Sequence, residues 1–246
     1  MQFGAMGDAH GGRYLRQEGL KEQLEGLGLL LLAGDITDSN DVAAFGTVLD
    51  AIRERTDALV VAAFGNEEYE QDRAAYRKTY DIMFLDDERI DLEIDGIRVR
   101  IVGTTGSLDR PTWWQRTHVA DIWSRYSERN KKISSLLRRD GCDLLILLSH
   151  YAPTYLTLEG EKERAFPEMG SRAMEEVLLE RVPDLAIHAH AHSGTPWAAV
   201  SNKQRTLEDF GKKIAIPVWN VSLPLNKKII RFEVTKDEDV DVRVQN

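Results

Sequence analysis

The stretch Leu27-Gly28-Leu29-Leu30-Leu31-Leu32-Ala33-Gly34-Asp35-Ile36-Thr37-Asp38 decides how this chain is read. Its apolar run offers no polar residue to either alternating face, as expected of a strand covered on both sides inside a parallel sheet. A Gly-Asp pair closes the run, so the strand delivers a carboxylate at its C-terminal end. Working outward, Gln2 to Met6, Leu59 to Phe64, Leu144 to Leu148 and Leu185 to Ala189 have the same strand-like character. Each is followed by residues of metal-binding type: Asp8 and His10, Asn66, His150, and His190 with His192. Such groups at the carboxyl ends of parallel strands can converge on one crevice although they are scattered along the chain.

Between these runs lie segments with apolar residues at three and four spacing, which predict helices over Tyr14 to Leu24, Val42 to Glu54, Asp72 to Tyr80, Val119 to Arg139 and Arg172 to Arg181. In the second, Val42, Phe45, Val48, Leu49 and Ile52 make one stripe, and Ser39, Asn40 and Asp41 are candidate caps. The middle of the chain breaks this βα alternation. Leu92 to Ile94, Asp95-Gly96 and Ile97 to Val102 read as a hairpin with a tight primed turn, so a second sheet begins there. The runs Ile214 to Trp219 and Ile229 to Val234 are followed by no predicted helix, and antiparallel pairing is their simplest fate. The expectation is an α/β fold of two mixed sheets packed face to face with helices outside, forming a single domain over residues 1–246.

Composition narrows the function classes. At 42% hydrophobic and 30% charged, the chain has the balance of a soluble globular protein. The apolar run at Leu27 to Ala33 is too short to cross a bilayer, and the N-terminus lacks the basic and apolar regions of a signal peptide, so a cytoplasmic setting and no membrane partner are expected. The one cysteine, Cys142, rules out an internal disulfide framework and reads as a small core residue opening a strand. A formal charge of −9 argues against a broad electrostatic grip on nucleic acid.

The chemistry lies in the ordered ligand set. Period-two alternation puts Asp8 and His10 on one side of an extended segment, and likewise His190 and His192, which serve either one ion or two adjacent ones. Asp35 can bridge two cations because each carboxylate oxygen can serve one metal, and Asn66 completes a shell without adding charge. Four of the six histidines fall in this set, which carries the case for metal beyond what any single Gly-Asp or strand-end histidine would.

Asp8-x-His10, Gly34-Asp35 with Asp38 close behind, Gly65-Asn66-x-Glu68, His150 and His190-x-His192 resemble, in this order, the calcineurin-like metallophosphoesterases over about residues 1 to 222. The region from Gly170-Ser171 to Pro183-Asp184 is most similar to predicted archaeal and bacterial phosphoesterases of that superfamily. The resemblance implies a four-layer αββα sandwich. It implies that Asp8, His10 and His192 hold one divalent ion, that Asn66, His150 and His190 hold a second, and that Asp35 bridges them, with a metal-bridging hydroxide attacking phosphorus. Manganese is the first expectation for mixed oxygen and imidazole donors, with iron, nickel and zinc open. Two positions depart from the family pattern. Ala189 stands where the last block commonly begins with glycine, and Glu67 stands where a histidine commonly serves as general acid. A glutamate beside two cations stays ionised and has no proton to donate, so leaving groups that are already acidic are the expected substrates.

Other residues are read more plainly. His118, after the insertion Arg110-Pro111-Thr112-Trp113-Trp114-Gln115-Arg116, is a candidate replacement acid, although a surface histidine beside two packed tryptophans is the simpler reading. Arg110 and Arg116 could grip phosphate, and Trp113 and Trp114 could stack on a base or anchor the following helix. Residues 107–139 are a candidate substrate-capping insertion. His188 is assigned a hydrogen bond behind the ligands or plain packing, and Asp38 either orients a ligand or caps a helix. Glu68 is expected to orient a ligand histidine, and Ser171 to cap a helix whose N-terminus could hold phosphate. The leading function is a binuclear metal-dependent phosphodiesterase or phosphomonoesterase acting on a small phosphorylated molecule or nucleotide. A nuclease, for which Lys131, Lys132, Arg138 and Arg139 would be the basic patch, and a catalytically weak protein-binding scaffold are the alternatives.

Overall fold

In the computed structural model, residues 1–15, 19–201, 215–237 and 240–245 are described. The first sheet has the order β12-β11-β1-β2-β3-β4. Its parallel strands are β1 (Gln2–Met6), β2 (Leu29–Ala33), β3 (Leu59–Ala63) and β4 (Met83–Leu85). The antiparallel strands β11 (Ile230–Lys236) and β12 (Val240–Gln245) extend it beyond β1. The second sheet runs β5-β6-β7-β8-β10-β9. Here β6 (Ile97–Thr104), β7 (Leu144–Ser149), β8 (Leu185–His188) and β10 (Ala215–Asn220) are parallel, with β5 (Glu88–Ile94) and β9 (Trp197–Ser201) antiparallel at the edges.

The uniformly apolar strands are explained by this layering. In β2, Leu29, Leu31 and Ala33 face the second sheet, packing with Val99, Ile101, Leu144, Ile146, Leu148 and Ile187. Leu30 and Leu32 turn the other way, toward the stripe Phe45, Val48, Leu49 and Ile52 on α1 (Val42–Arg53) and toward Tyr76 on α2 (Arg73–Thr79). The second sheet repeats the pattern: Leu145 and Leu147 pack outward on Ile133 and Leu137, from α4 (Ile122–Leu136) and its end, and on Met174 and Leu178 of α5 (Arg172–Arg181). The result is the expected sandwich of two mixed sheets between helical layers. Asp41 caps α1 by accepting from the Ala44 amide at 3.0 Å. The hairpin turn has φ of 51° at Asp95 and 74° at Gly96, the primed geometry its sequence required.

Several expectations need correction. The helix predicted over Tyr14 to Leu24 is seen only as a 3-10 turn at Lys21–Leu24, with residues 16–18 outside those described. The segment ending at Trp219 pairs parallel with β8 as well as antiparallel with β9, and it is followed by a short helix, α6 (Leu223–Asn226); Ile214 lies outside the described residues. Trp113–His118, in the insertion for which no helix was expected, is a helix, α3, opened by a capping box between Thr112 and Gln115. Cys142 precedes β7 and is only partly buried against the outer core. No helix among the described residues is long and apolar enough to cross a membrane.

The two sheets are sewn together at the strand ends. Gly7 donates to the Val221 carbonyl at 3.1 Å, and Val221 donates to the His188 carbonyl at 2.7 Å, linking the end of β1 to the end of β8. A Cβ on Gly7 would lie 2.5 Å from the Ala189 methyl, far inside contact. Ala189 is therefore tolerated where the family pattern has glycine because the facing residue is itself glycine. Gly7→Ala is expected to destabilise the fold by about 1–3 kcal/mol through overpacking, read by equilibrium denaturation. Adding Ala189→Gly should return part of that loss, and a Gly7→Ala protein as stable as the parent would contradict this packing.

Candidate metal centre

The ligand-type residues do not sit on extended strands. Asp8, His10, Asp35 and His190 have φ of 55°, 49°, 49° and 69°, so each lies in a left-handed turn just beyond its strand. Period-two alternation therefore gives the right neighbours for the wrong reason. Left-handed backbone at non-glycine residues costs about 1 kcal/mol or more each and persists where the surroundings enforce it. Here the enforcement is visible: the amides of Asp8, His10 and Gly11 donate to the carbonyls of Gly34, Asp35 and Ile36, so the turns after β1 and β2 run side by side.

These turns gather two sets of donor atoms. Asp8, His10 and His192 form one set, and Asp35, His150 and His190 the other, with the ligand atoms of each set within 4.8 Å of one another. Asn66 joins the second set, its Oδ1 lying 3.1 Å from His150 Nε2, while Asp35 Oδ2 is 3.3 Å from the same nitrogen. The sets abut, since Asp8 Oδ2 accepts from the His190 amide at 2.9 Å.

The tautomers follow from the partners. His10 Nδ1 donates to Asp38 Oδ1 at 2.6 Å, and His150 Nδ1 donates to the Ala33 carbonyl at 2.9 Å. Each Nε2 is thereby the ring nitrogen aimed into the centre. His10 Nε2 and Asp8 Oδ1 are buried without any partner. Converging acceptors with no hydrogen to share are costly unless a cation lies among them, and the donor set of carboxylate, amide oxygen and imidazole fits divalent metals. Electrostatics point the same way. Burial opposes charge on His150, but the carboxylates of Asp35 and Asp8 outweigh it and raise its pKa to about 9. Burial also opposes ionised Asp8, yet His192 and His150 hold it at about 2. His190, buried beside a cationic His150, is driven down to about 4.

Behind the donors stands a buried carboxylate. Glu68 accepts the amides of Asp35, Ile36, Thr37 and Gly65 at 2.7–3.1 Å, clamping the turns after β2 and β3. Burial and the nearby Asp35 charge push its pKa up to about 7, while the Gly65 and Thr37 amides pull the other way. It orients backbone and not a histidine, which corrects the expectation. Asp38, by contrast, does orient a histidine, and Asp41 does the capping.

The remaining sequence candidates fall elsewhere. His118 lies flat on Trp114 and its contacts are with its own helix, through Thr117 and the Trp114 carbonyl. Arg110 is taken up by Glu168 and the Arg164 carbonyl, and Arg116 by the Pro111 carbonyl. Trp113 and Trp114 are exposed at 68% and 57%, and the ring they pack on is that of His118 in their own helix. His188 is buried between Thr157 Oγ1 and the Ala189 carbonyl. Ser171 caps α5, accepting from the Met174 amide, but the phosphate place in front of it is filled by Asp109, which accepts from Arg172 N and Ser171 Oγ. Nothing near Asp109 in sequence announces that role, because its partners are some sixty residues away. Tyr151 was also missed: its ring centre lies 5.3 Å from that of His150 and 4.9 Å from that of His190, and Gln115 of α3 donates to its hydroxyl at 3.3 Å. Its position directly after His150 was the available signal.

Comparison with known proteins agrees with this geometry. The sequence pattern of the calcineurin-like phosphoesterases matches residues 1–194. No curated protein matches the chain. Among solved structures, phosphopantetheinyl hydrolase from Mycobacterium tuberculosis is similar at a TM-score of 0.60 and 13% identity, covering 90% of this chain and 88% of that one. A 5'-nucleotidase precursor from Thermus thermophilus is similar at 0.57 and 15% identity over 99% of this chain, which spans 54% of the nucleotidase. A sulfate thiohydrolase from Thermus thermophilus is similar at 0.53 and 12% identity, covering 99% of this chain and 56% of that one. At such identities these likenesses speak for the fold alone. With the family pattern running through all five turns that carry the candidate donors, and with the two-sheet sandwich beneath them, the chain belongs to the calcineurin-like phosphoesterases, metal-dependent hydrolases of phosphoesters.

Proposed function

We propose that the protein is a binuclear phosphoester hydrolase acting on small phosphorylated molecules or nucleotides. The observation that carries this reading is the pair of abutting acceptor sets, with His10 Nε2 and Asp8 Oδ1 buried and unpartnered. Asp8, His10 and His192 would hold one divalent ion, manganese in the first instance, and Asn66, His150 and His190 the other. Asp35 would serve both. When bound, the ions supply Lewis acidity, lowering the pKa of the attacking water and neutralising charge on the phosphoryl oxygens. Asp38 and the Ala33 carbonyl keep His10 and His150 in the tautomer that presents Nε2, and Glu68 keeps the turns from spreading.

Protonation of the leaving group is where the chain's residues limit the chemistry. Both oxygens of Glu67 act as acceptors, from the Ser39 amide at 2.7 Å and from Asn66 Nδ2 at 3.3 Å, which suits a carboxylate and not an acid. Substrates with acidic leaving groups, aryl phosphates or diesters of acidic alcohols, fit that limit.

The insertion at 107–139 is read as a partial cap. Gln115 touches Tyr151 beside the second donor set, and Arg125 of α4 pairs with Glu70 just beyond Asn66. The small-substrate reading is favoured over a nuclease because Arg138 and Arg139 are spent on Asp140 and Asp184. A scaffold role has little to rest on while every donor of both sets is present. A cytoplasmic setting belongs to the same reading, and the single cysteine suits it.

Three measurements test this. Protein stripped by chelation should lose hydrolysis of an aryl phosphate or bis-aryl phosphodiester and regain it on adding Mn2+, and Asp35→Asn should lower kcat about a hundredfold or more. Undiminished turnover by stripped protein would contradict it. Across a series of aryl esters, the rate should fall steeply as leaving-group pKa rises, whereas a flat series would reveal a proton donor.

A further inference from the structure

Glu67 sits where the family pattern commonly has the acid histidine, and its contacts describe a different task. Its two carboxylate oxygens reach in two directions. Oε1 accepts from Asn66 Nδ2 at 3.3 Å, and this contact leaves Asn66 Oδ1 turned toward His150 Nε2, 3.1 Å away. Oε2 accepts from the Ser39 amide at 2.7 Å. Ser39 and Asn40 are consecutive left-handed residues, with φ of 49° and 60°, so the loop carrying them needs external support. Next to Ser39 in that loop is Asp38, whose carboxylate fixes His10. The Glu67 amide also donates to Asp35 Oδ1 at 2.8 Å. One residue thus touches Asn66 and Asp35 of the second donor set and, through Ser39 and Asp38, holds His10 of the first.

We propose that Glu67 is a positioning residue that sets the Asn66 amide and the Asp38–His10 pair together, tying the two halves of the centre. The inference rests on the metal-centre reading above. A cation selects the amide oxygen by charge once it is bound; an acceptor fixed on the nitrogen side holds Asn66 in that orientation beforehand, so the oxygen already faces the centre. An imidazole at position 67 could not accept from two donors lying in these different directions. The exchange of histidine for glutamate therefore trades a proton donor for a clamp.

The test is a Mn2+ titration of the metal-stripped full chain, following each binding step by calorimetry and electron paramagnetic resonance, for the parent, Glu67→Ala and Glu67→Gln. Both variants remove the same charge, and only the glutamine retains an oxygen able to accept one of the two donors. Glu67→Ala is expected to weaken both binding steps about tenfold to a hundredfold, and Glu67→Gln to recover a measurable part of that loss in at least one. Equal losses in the two variants would reduce Glu67 to a simple charge and overturn the proposal, as would parental affinity in Glu67→Ala. Should the alanine variant not fold, Glu67→Gln against the parent still decides, since loss confined to one of the two steps is what a half-retained clamp gives, and unchanged binding overturns it. A parent chain that takes up no Mn2+ would instead overturn the metal-centre reading, a failure distinguishable because it precedes any substitution.

Discussion

The end of β1 and the end of β8 approach so closely that the space a side chain would need at Gly7 is occupied by the Ala189 methyl, and Val221 stitches the two strand ends through hydrogen bonds on either side. Everything functional depends on that seam. Asp8 follows Gly7 by one residue and His190 follows Ala189 by one, so the contact that joins the sheets also sets how near the two donor sets can lie. Without it, the strands would still present carboxylates and imidazoles at their ends, but in two separate places. The same logic extends to His150, whose Nδ1 reaches from the second sheet to the Ala33 carbonyl in the first.

The seam concentrates a problem as well as a site. Left-handed turns, buried carboxylates and imidazoles stripped of water are each unfavourable, and they are gathered where the backbone offers many free amides just past the strand ends. Glu68 takes up four of those amides, Asp8 takes the His190 amide and Asp35 takes the Glu67 amide. Negative side chains thus satisfy backbone donors on one side and leave acceptors facing inward on the other. A divalent cation is the counterpart that suits such a set of inward-facing acceptors.

Much of this was legible in the sequence because it is carried by local pattern. Leu29 to Ala33 had to be covered on both faces, and Asp95-Gly96 had to turn tightly, so the sandwich and its second sheet could be anticipated. The candidate donor residues that the turns bring together were legible from order and type. What could not be read was long-range and directional. That Glu68 would clamp backbone amides, that Asp109 would fill the N-terminus of α5, and that Arg110 would be consumed by Glu168 all depend on partners brought together only by folding. The helix Trp113–His118 was hidden because its stability comes from the Thr112–Gln115 capping box and not from an apolar stripe. Strand-like alternation put Asp8 with His10 and left His190 and His192 to serve one ion or two adjacent ones, and the turns place His190 in one set and His192 in the other.

The central claim is that two adjacent cations occupy this seam, one in each set, with Asp35 serving both. The most direct measurement is an anomalous difference map from crystals of the full chain grown with Mn2+, recorded at the manganese absorption edge. Two peaks are expected, about 3.5–4 Å apart, one against Asp8, His10 and His192 and the other against Asn66, His150 and His190, with an Asp35 oxygen within reach of each. A single peak, or peaks away from these side chains, would contradict the claim.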